Sequence, residues 1–147
     1  MSSNLSNLSI DAFLFFDGNC KEAVEFYANI FNVEAPQMIT YGQNPDVNAG
    51  PNAALEKDKD RILYAHLPVS GHTIMFSDCP SGQKYIKGNN VAVTVSGSDA
   101  QEIKRIYEAL SEEGQVLMLL GKTFFSNLFA MVCDKFGVIW QISLTKE

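Results

Sequence analysis

The chain has 147 residues, 46% of them hydrophobic and 19% charged, with a formal net charge of −6. That length suffices for one domain with a real core or for two small fused units, and the composition is that of an ordinary soluble globule. An acidic balance with no Lys/Arg cluster to offset it excludes nucleic acid as a partner, and no apolar run is long enough to span a bilayer.

Residues 1–9, "MSSNLSNLS", have neither a basic start nor a long apolar block, so they read as a polar tail and not as a secretory signal. Then "FLFFDGNCKEAVEFY" runs from Phe13 to Tyr27. Four apolar residues make a strand, Asp17-Gly18-Asn19 a tight turn, and Ala23, Phe26, Tyr27 and Ile30 the single stripe of an amphipathic helix. Asn19 followed by Glu22 has the spacing of a capping box. The turn lacks the further glycines and the lysine of a phosphate cradle, so it reads as a corner. "QMITYG" (Gln37–Gly42) reads as a short strand, and Gly42–Asp60 has no period, which suggests a loop able to close over a site. A hairpin follows over Arg61–Asp78, turning at Ser70-Gly71, and Pro80–Asn89 is a connection.

The pattern then repeats. "NVAVTVSGSD" gives a second strand and glycine turn, Ile103, Ile106, Tyr107 and Leu110 a second stripe, and Asp99 with Glu102 a second cap. Gly114 sits where a helix-closing glycine belongs. Gln115–Leu120 is a strand, and Phe129–Leu144 a hairpin turning at Asp134–Gly137. The fold class is therefore α+β: a first βαβββ module over 10–80, a linker over 81–89 and a second module over 90–147. Strand parity assigns faces. Leu14, Phe16, Val91, Val93 and Val95 should pack on the helices, leaving Asp11, Phe13, Phe15, Asn90, Ala92 and Thr94 on the opposite face. Cys20, Cys79 and Cys133 are sparse, odd in number and without a C-x-x-C, which fits reduced, buried or half-buried thiols and a cytoplasmic protein.

The ordered set "LFFDGNCKEAVEFY", "ILYAHL", "IMFSD" and "DKFGVIWQI" resembles the vicinal oxygen chelate superfamily of glyoxalases, bleomycin-resistance proteins and extradiol dioxygenases, and within it the PhnB-like branch. The resemblance implies a curled, cup-like mixed sheet with the helices outside, and a homodimer. In metal-using relatives four side chains in the cup, usually His and Glu, hold a divalent ion; here those places fall on Asp11, Met75, Asn90 and Gln141. One carboxylate, two amides and a thioether are a poor set for such an ion, so no metal is expected. Where the branch's pattern has Trp-Gly and a basic residue before the final hairpin, this chain reads "TFFSNLF", with Phe125 and Leu128. The branch is sometimes labelled by analogy with a ubiquinone methyltransferase, but the chain has no glycine-rich strand–helix unit for a nucleotide cofactor, and no cofactor is expected.

Among single residues, His66 falls opposite Met75 across the hairpin and so points into the cup, where an imidazole could act as base, donor or ligand anchor. Asp11 could serve as a base if enclosed by Phe13 and Phe15. Tyr41, Tyr64 and Trp140 read as packing residues, and no serine or cysteine has an evident activating base. The sequence thus points to a small, partly apolar molecule bound in a metal-free cup, with no nucleic acid and no membrane. Walls would come from Phe13, Phe15 and Met75, directional contacts from Asp11, His66, Asn90 and Gln141, with His66 and Asp11 as catalytic candidates. The competing readings are a lyase, isomerase or dioxygenase holding a metal through Asp11 and His66, and sequestration of a drug or toxin.

Overall fold

The computed structural model describes residues 7–44 and 56–146. The chain divides into two compact units, Met1–Tyr85 and Ile86–Glu147. The first holds β1 (Ala12–Phe16), α1 (Cys20–Ile30), β2 (Ile39–Thr40), β3 (Ile62–Val69) and β4 (His72–Asp78). The second holds β5 (Val93–Gly97), α2 (Ala100–Ser111), β6 (Gln115–Gly121), β7 (Phe129–Cys133) and β8 (Ile139–Leu144). Each unit is thus βαβββ, and the protein is α+β. The sheets are four-stranded and mixed, in the orders β1-β4-β3-β2 and β5-β8-β7-β6. In both, the first strand runs parallel to the last and the hairpin is antiparallel. Neither sheet closes on itself, so each keeps two edges.

In the first unit α1 packs on β3 and β4. Cys20, Ala23, Val24, Tyr27, Ala28 and Ile30 line its buried side. Phe26 sits only half-buried at the margin, and Val24 takes the core place instead. Tyr27 stacks on Phe76 at 5.9 Å between ring centroids, and Phe16, Ala65 and Leu67 complete the layer. In the second unit α2 lies across β5 to β8, and Ile103, Ile106 and Leu110 meet Ala130, Val132, Trp140 and Ile142. Trp140 donates its indole N–H to the buried Asp134 carboxylate at 2.9 Å. The other oxygen of Asp134 accepts from the amides of Phe136 and Val138 and so closes the hairpin turn, where Gly137 takes φ +89°. The two-residue turn at Ser70-Gly71, φ +49° and +82°, is the hairpin turn expected there.

Several local expectations are corrected. Asn19 makes no side-chain cap on α1. That role falls to Asp78 at the end of β4, whose Oδ1 accepts from the amides of Gly18 (2.7 Å) and Cys20 (3.1 Å) while Oδ2 accepts from Ile62 (2.9 Å). A carboxylate at a helix N-terminus also meets the positive end of the helix dipole. In α2 the expected cap holds through Asp99, which accepts from Gln101 and Glu102, but the Glu102 carboxylate turns to Arg105 at 2.7 Å instead of reaching back. Gly114 is not the left-handed closing residue; Glu113 takes that conformation, φ +59°. Gly114 is there for space, because a Cβ on it would run into the carbonyl oxygen of Cys133. The strand expected over Gln37–Gly42 shrinks to β2, since Tyr41–Gln43 form a 3-10 turn capped by Thr40. Val91 is 75% exposed and β5 begins only at Val93, so Val91 does not pack on α2. Most of the loop expected over Gly42–Asp60 lies outside the described residues.

Candidate functional site

Each helix covers one face of its sheet, so the residues alternating with the core define the other face. In the first unit that face carries Phe13 and Phe15 from β1, Tyr64 and His66 from β3, and Met75 from β4. Strand register fixes their order: Phe13 pairs with Met75, and Met75 with His66. A thioether is thus flanked by a phenyl ring and an imidazole, as the hairpin spacing predicts for His66. Phe13 and Phe15 are stacked at 4.8 Å with 19° between planes; Tyr64 lies 6.3 Å from Phe13 and 6.0 Å from His66. Phe13 stays 38% and Phe15 53% exposed, which is unusual for neighbouring aromatics on a strand. Tyr64 therefore belongs to this lane of rings, not to the packing role the sequence suggested. Its position two residues before His66 was the available signal.

The second unit carries the equivalent row. Thr94 pairs with Gln141, Gln141 with Met131, and Met131 with Met118. The Thr94 hydroxyl donates to Gln141 Oε1 at 3.2 Å. Matched by pairing, Phe13 corresponds to Thr94, Met75 to Gln141 and His66 to Met131. The same register makes Phe16 equivalent to Gly97, because Phe16 pairs with Asp78 and Gly97 with Leu144. Asp11 then corresponds to Ala92, not to Asn90. Asn90 is exposed and precedes β5 altogether, so the fourfold set derived from the repeat does not survive as one set. Met131 is the residue the sequence reading leaves out, and Thr94, which strand parity places on this face, is not counted there among the directional contacts.

Asp11 lies just before β1, is exposed, and accepts from the Ser9 hydroxyl at 2.9 Å. Phe13 and Phe15 do not enclose it. The four places at which metal-using relatives ligate do not fit a divalent ion. They offer one exposed carboxylate, a thioether, an exposed amide outside the strand, and an amide oxygen already accepting from Thr94. Among the described residues no three His, Cys, Asp or Glu side chains form a group that could hold a metal.

The strongest electrostatics in the first unit lie at the end of β4 and serve the frame. Arg61 donates to Asp17 at 2.8 Å and to the Cys79 carbonyl at 2.7 Å, with its Nε 3.5 Å from the buried Asp58. The neighbouring Ser81, with Arg61 adding, holds the Asp58 carboxyl below its usual range. Burial and the charge of Asp78 push the Cys20 thiol far above its ordinary value, and burial does the same, less strongly, to Cys79 and Cys133. All three are free thiols held in the unreactive protonated form. The glycine turn before α1 does hold an anion, but it is the protein's own Asp78. Tyr41 donates to the Asp78 carbonyl at 2.7 Å and is structural, as expected.

Comparison with known proteins bears on the same residues. The sequence model of the family described as 3-demethylubiquinone-9 3-methyltransferase matches residues 9–143. Protein YjdN of Escherichia coli (strain K12) is 28% identical over 145 residues, 95% of this chain and 97% of that protein. The crystal structure of PA1353 from Pseudomonas aeruginosa is 30% identical and covers 96% of this chain and all of that one, with a TM-score of 0.85. A PhnB protein from Bacillus cereus, described as a 3-demethylubiquinone-9 3-methyltransferase, is 25% identical over 94% of this chain and all of its own, with a TM-score of 0.75. At the level of the fold alone, a glyoxalase-related enzyme from Fulvimarina pelagi superposes with a TM-score of 0.53 at 17% identity, covering 94% of this chain and 89% of that one. No helix among the described residues is long and apolar enough to cross a membrane.

Proposed function

The chain belongs to the 3-demethylubiquinone-9 3-methyltransferase family, in its PhnB-like branch and with a glyoxalase-like fold, and from that premise we propose that it binds a small, partly apolar molecule without a metal. The observation that carries this reading is the lane of exposed rings on the helix-free face of the first sheet. Phe13, Phe15 and Tyr64 offer flat apolar surface, Met75 an adaptable wall, and His66 a single directional group. Few polar groups on an apolar surface is the usual make-up of a ligand site. Asp11 adds a carboxylate near the start of β1; the second unit, taken by itself, offers an amide–hydroxyl pair, Gln141 with Thr94, on the helix-free face of its own sheet. The donor set supports a metal-independent role. The methyl transfer in the family's description finds no support in the sequence, which lacks a glycine-rich turn for a nucleotide-type methyl donor. The same reading includes a homodimer in the cytoplasm.

The test has two arms. A neutral fluorescent naphthol is titrated into wild type, Phe15→Ala and His66→Ala. Saturable binding that Phe15→Ala weakens by about tenfold, on the scale of one buried aromatic contact, supports the reading. No saturation, or indifference to both substitutions, overturns the site. Separately, elemental mass spectrometry is run on protein exposed to Zn, Ni, Mn and ferrous iron and then dialysed. About one retained ion per chain, lost in Asp11→Ala or His66→Ala, overturns the metal-free reading.

A further inference from the structure

The outer strand of the second sheet is built unlike an ordinary sheet edge. β6 ends the order β5-β8-β7-β6, so its outward N–H and C=O groups have no strand beside them among the described residues. Natural edges are usually blunted by charge, proline, brevity or a bulge, and of these β6 has only the last. β6 is seven residues long and carries "QVLMLLG", with neither charge nor proline. The register sets Val116 against Val132 and Met118 against Met131, neighbours that lie on opposite faces of β7, and Val116, Leu117, Met118 and Leu119 are exposed at 37%, 46%, 45% and 76%, so both faces of the edge are apolar. Phe124 and Phe125 extend the patch, fully and 55% exposed. The register against β7 shifts on both sides of Met118, a bulging that re-aims the strand without covering it.

We infer that this edge pairs with the same edge of a second copy of the chain, antiparallel about a twofold axis near Met118. Three observations select that occupant. Antiparallel pairing about Met118 sets Leu117 opposite Leu119 and Val116 opposite Leu120, so apolar meets apolar at the two steps on either side of the axis, as an isologous contact requires. The two ends of the segment carry opposite charge: Glu112 and Glu113 precede β6 and Lys122 follows it, all exposed. Antiparallel pairing brings each Lys122 beside the partner's acidic end, whereas parallel pairing would set like charge on like. The edge also has apolar surface to lose. Pairing along the edge covers the part of these exposed side chains that lies beside the partner strand, so the contact removes apolar surface from water as well as joining backbone groups. This interface rests on the homodimer proposed above and gives it a surface.

Sedimentation velocity and cross-linking test it together. Wild type should sediment as a dimer of the 16.2 kDa chain. Leu117→Lys with Leu119→Lys should sediment as a monomer with unchanged circular dichroism, while Phe15→Lys, on the ring-lined face of the first sheet, remains a dimer. Should the double variant fail to fold, Met118→Cys in a Cys79→Ser, Cys133→Ser background decides. Opposed residues on paired strands lie about 5 Å apart, so mild oxidation should link most of the protein, whereas Lys122→Cys stays unlinked. Lys122→Glu should weaken dimerisation about two- to fivefold, and Glu113→Lys should restore it, as exposed pairs do. A wild-type monomer overturns both the dimer and this interface. A dimer that survives the double substitution, or that Met118→Cys fails to link, overturns the interface and leaves the dimer standing.

Discussion

Replacing Asp78 by alanine should cost the first unit much of its stability, and the loss can be worked from the hydrogen bonds. Its two carboxylate oxygens accept from three backbone amides, those of Gly18, Cys20 and Ile62. Gly18 is exposed, so water can replace its acceptor. Cys20 and Ile62 are 0% and 4% exposed, so their N–H groups would be left buried and unpaired. Each orphaned buried donor costs about 1–3 kcal/mol, and the lost charge at the α1 N-terminus adds up to about 1 more. The expected loss is therefore about 4 kcal/mol, a large share of the roughly 5–15 kcal/mol that a domain possesses. Asp78→Asn should lie between, because its remaining oxygen can serve α1 while its amide faces the Ile62 N–H donor to donor. Urea titration followed by circular dichroism gives the three stabilities. An alanine variant within about 1 kcal/mol of wild type, or an asparagine variant less stable than alanine, would refute the assignment of this carboxylate as the cap.

Two further outcomes follow from the same frame. Gly114→Ala should destabilise by about 2 kcal/mol, because the new methyl meets the Cys133 carbonyl and Asp134 backbone, neither of which can swing aside. Glu113→Gly, which relieves a left-handed φ and removes a 3.8 Å surface ion pair with Lys135 and one of the two acidic groups ahead of β6, each worth at most about 1 kcal/mol, should raise Tm when measured on dilute protein; equal losses for the two would show that space at Gly114 is not the constraint. Asp58 has a carboxyl held below its usual range, so it contributes stability above the ordinary carboxylate pKa of about 4, and that contribution is lost as pH falls through the depressed folded value. Asp58→Asn should lower Tm at neutral pH and converge on wild type in acid, and a gap that stays constant down to about pH 2 would count against it.

Much of this architecture was legible because it is periodic. Both βαβββ modules and the pairing of His66 with Met75 follow from spacing alone, and so do the helix stripes except at Phe26 and Tyr107, which are only half-buried. What the sequence hid depends on contacts distant in the chain. Asn19 has a good local capping pattern, but its side chain makes no cap, and a carboxylate about 60 residues away takes the Gly18 and Cys20 amides at the start of the helix from a strand end that packing holds in place. Gly114 matches a helix-end rule, yet its real constraint is a neighbouring strand's carbonyl. At the site, counting five residues back from the apolar strand ends Phe16 and Val95 sets Asp11 against Asn90, but the pairing makes Gly97 the equivalent of Phe16, so the counterpart is Ala92 and Asn90 is an exposed residue ahead of β5. Tyr64 shares the strand parity of His66, so its place on the ring-lined face is legible in the sequence even though it reads there as a packing residue.

The two helices, alike in stripe and length, differ in when they can form. α2 draws its cap from Asp99, the residue before it, so its first turn is complete as soon as the local chain folds. α1 waits for β4, since its cap arrives only when Asp78 has closed a long loop back to Gly18. A duplicated module has thereby acquired two kinetic characters. The second can nucleate on its own helix, and the first must assemble its sheet before its helix is secure. Weakening Asp99 should slow folding, whereas weakening Asp78 should chiefly hasten unfolding.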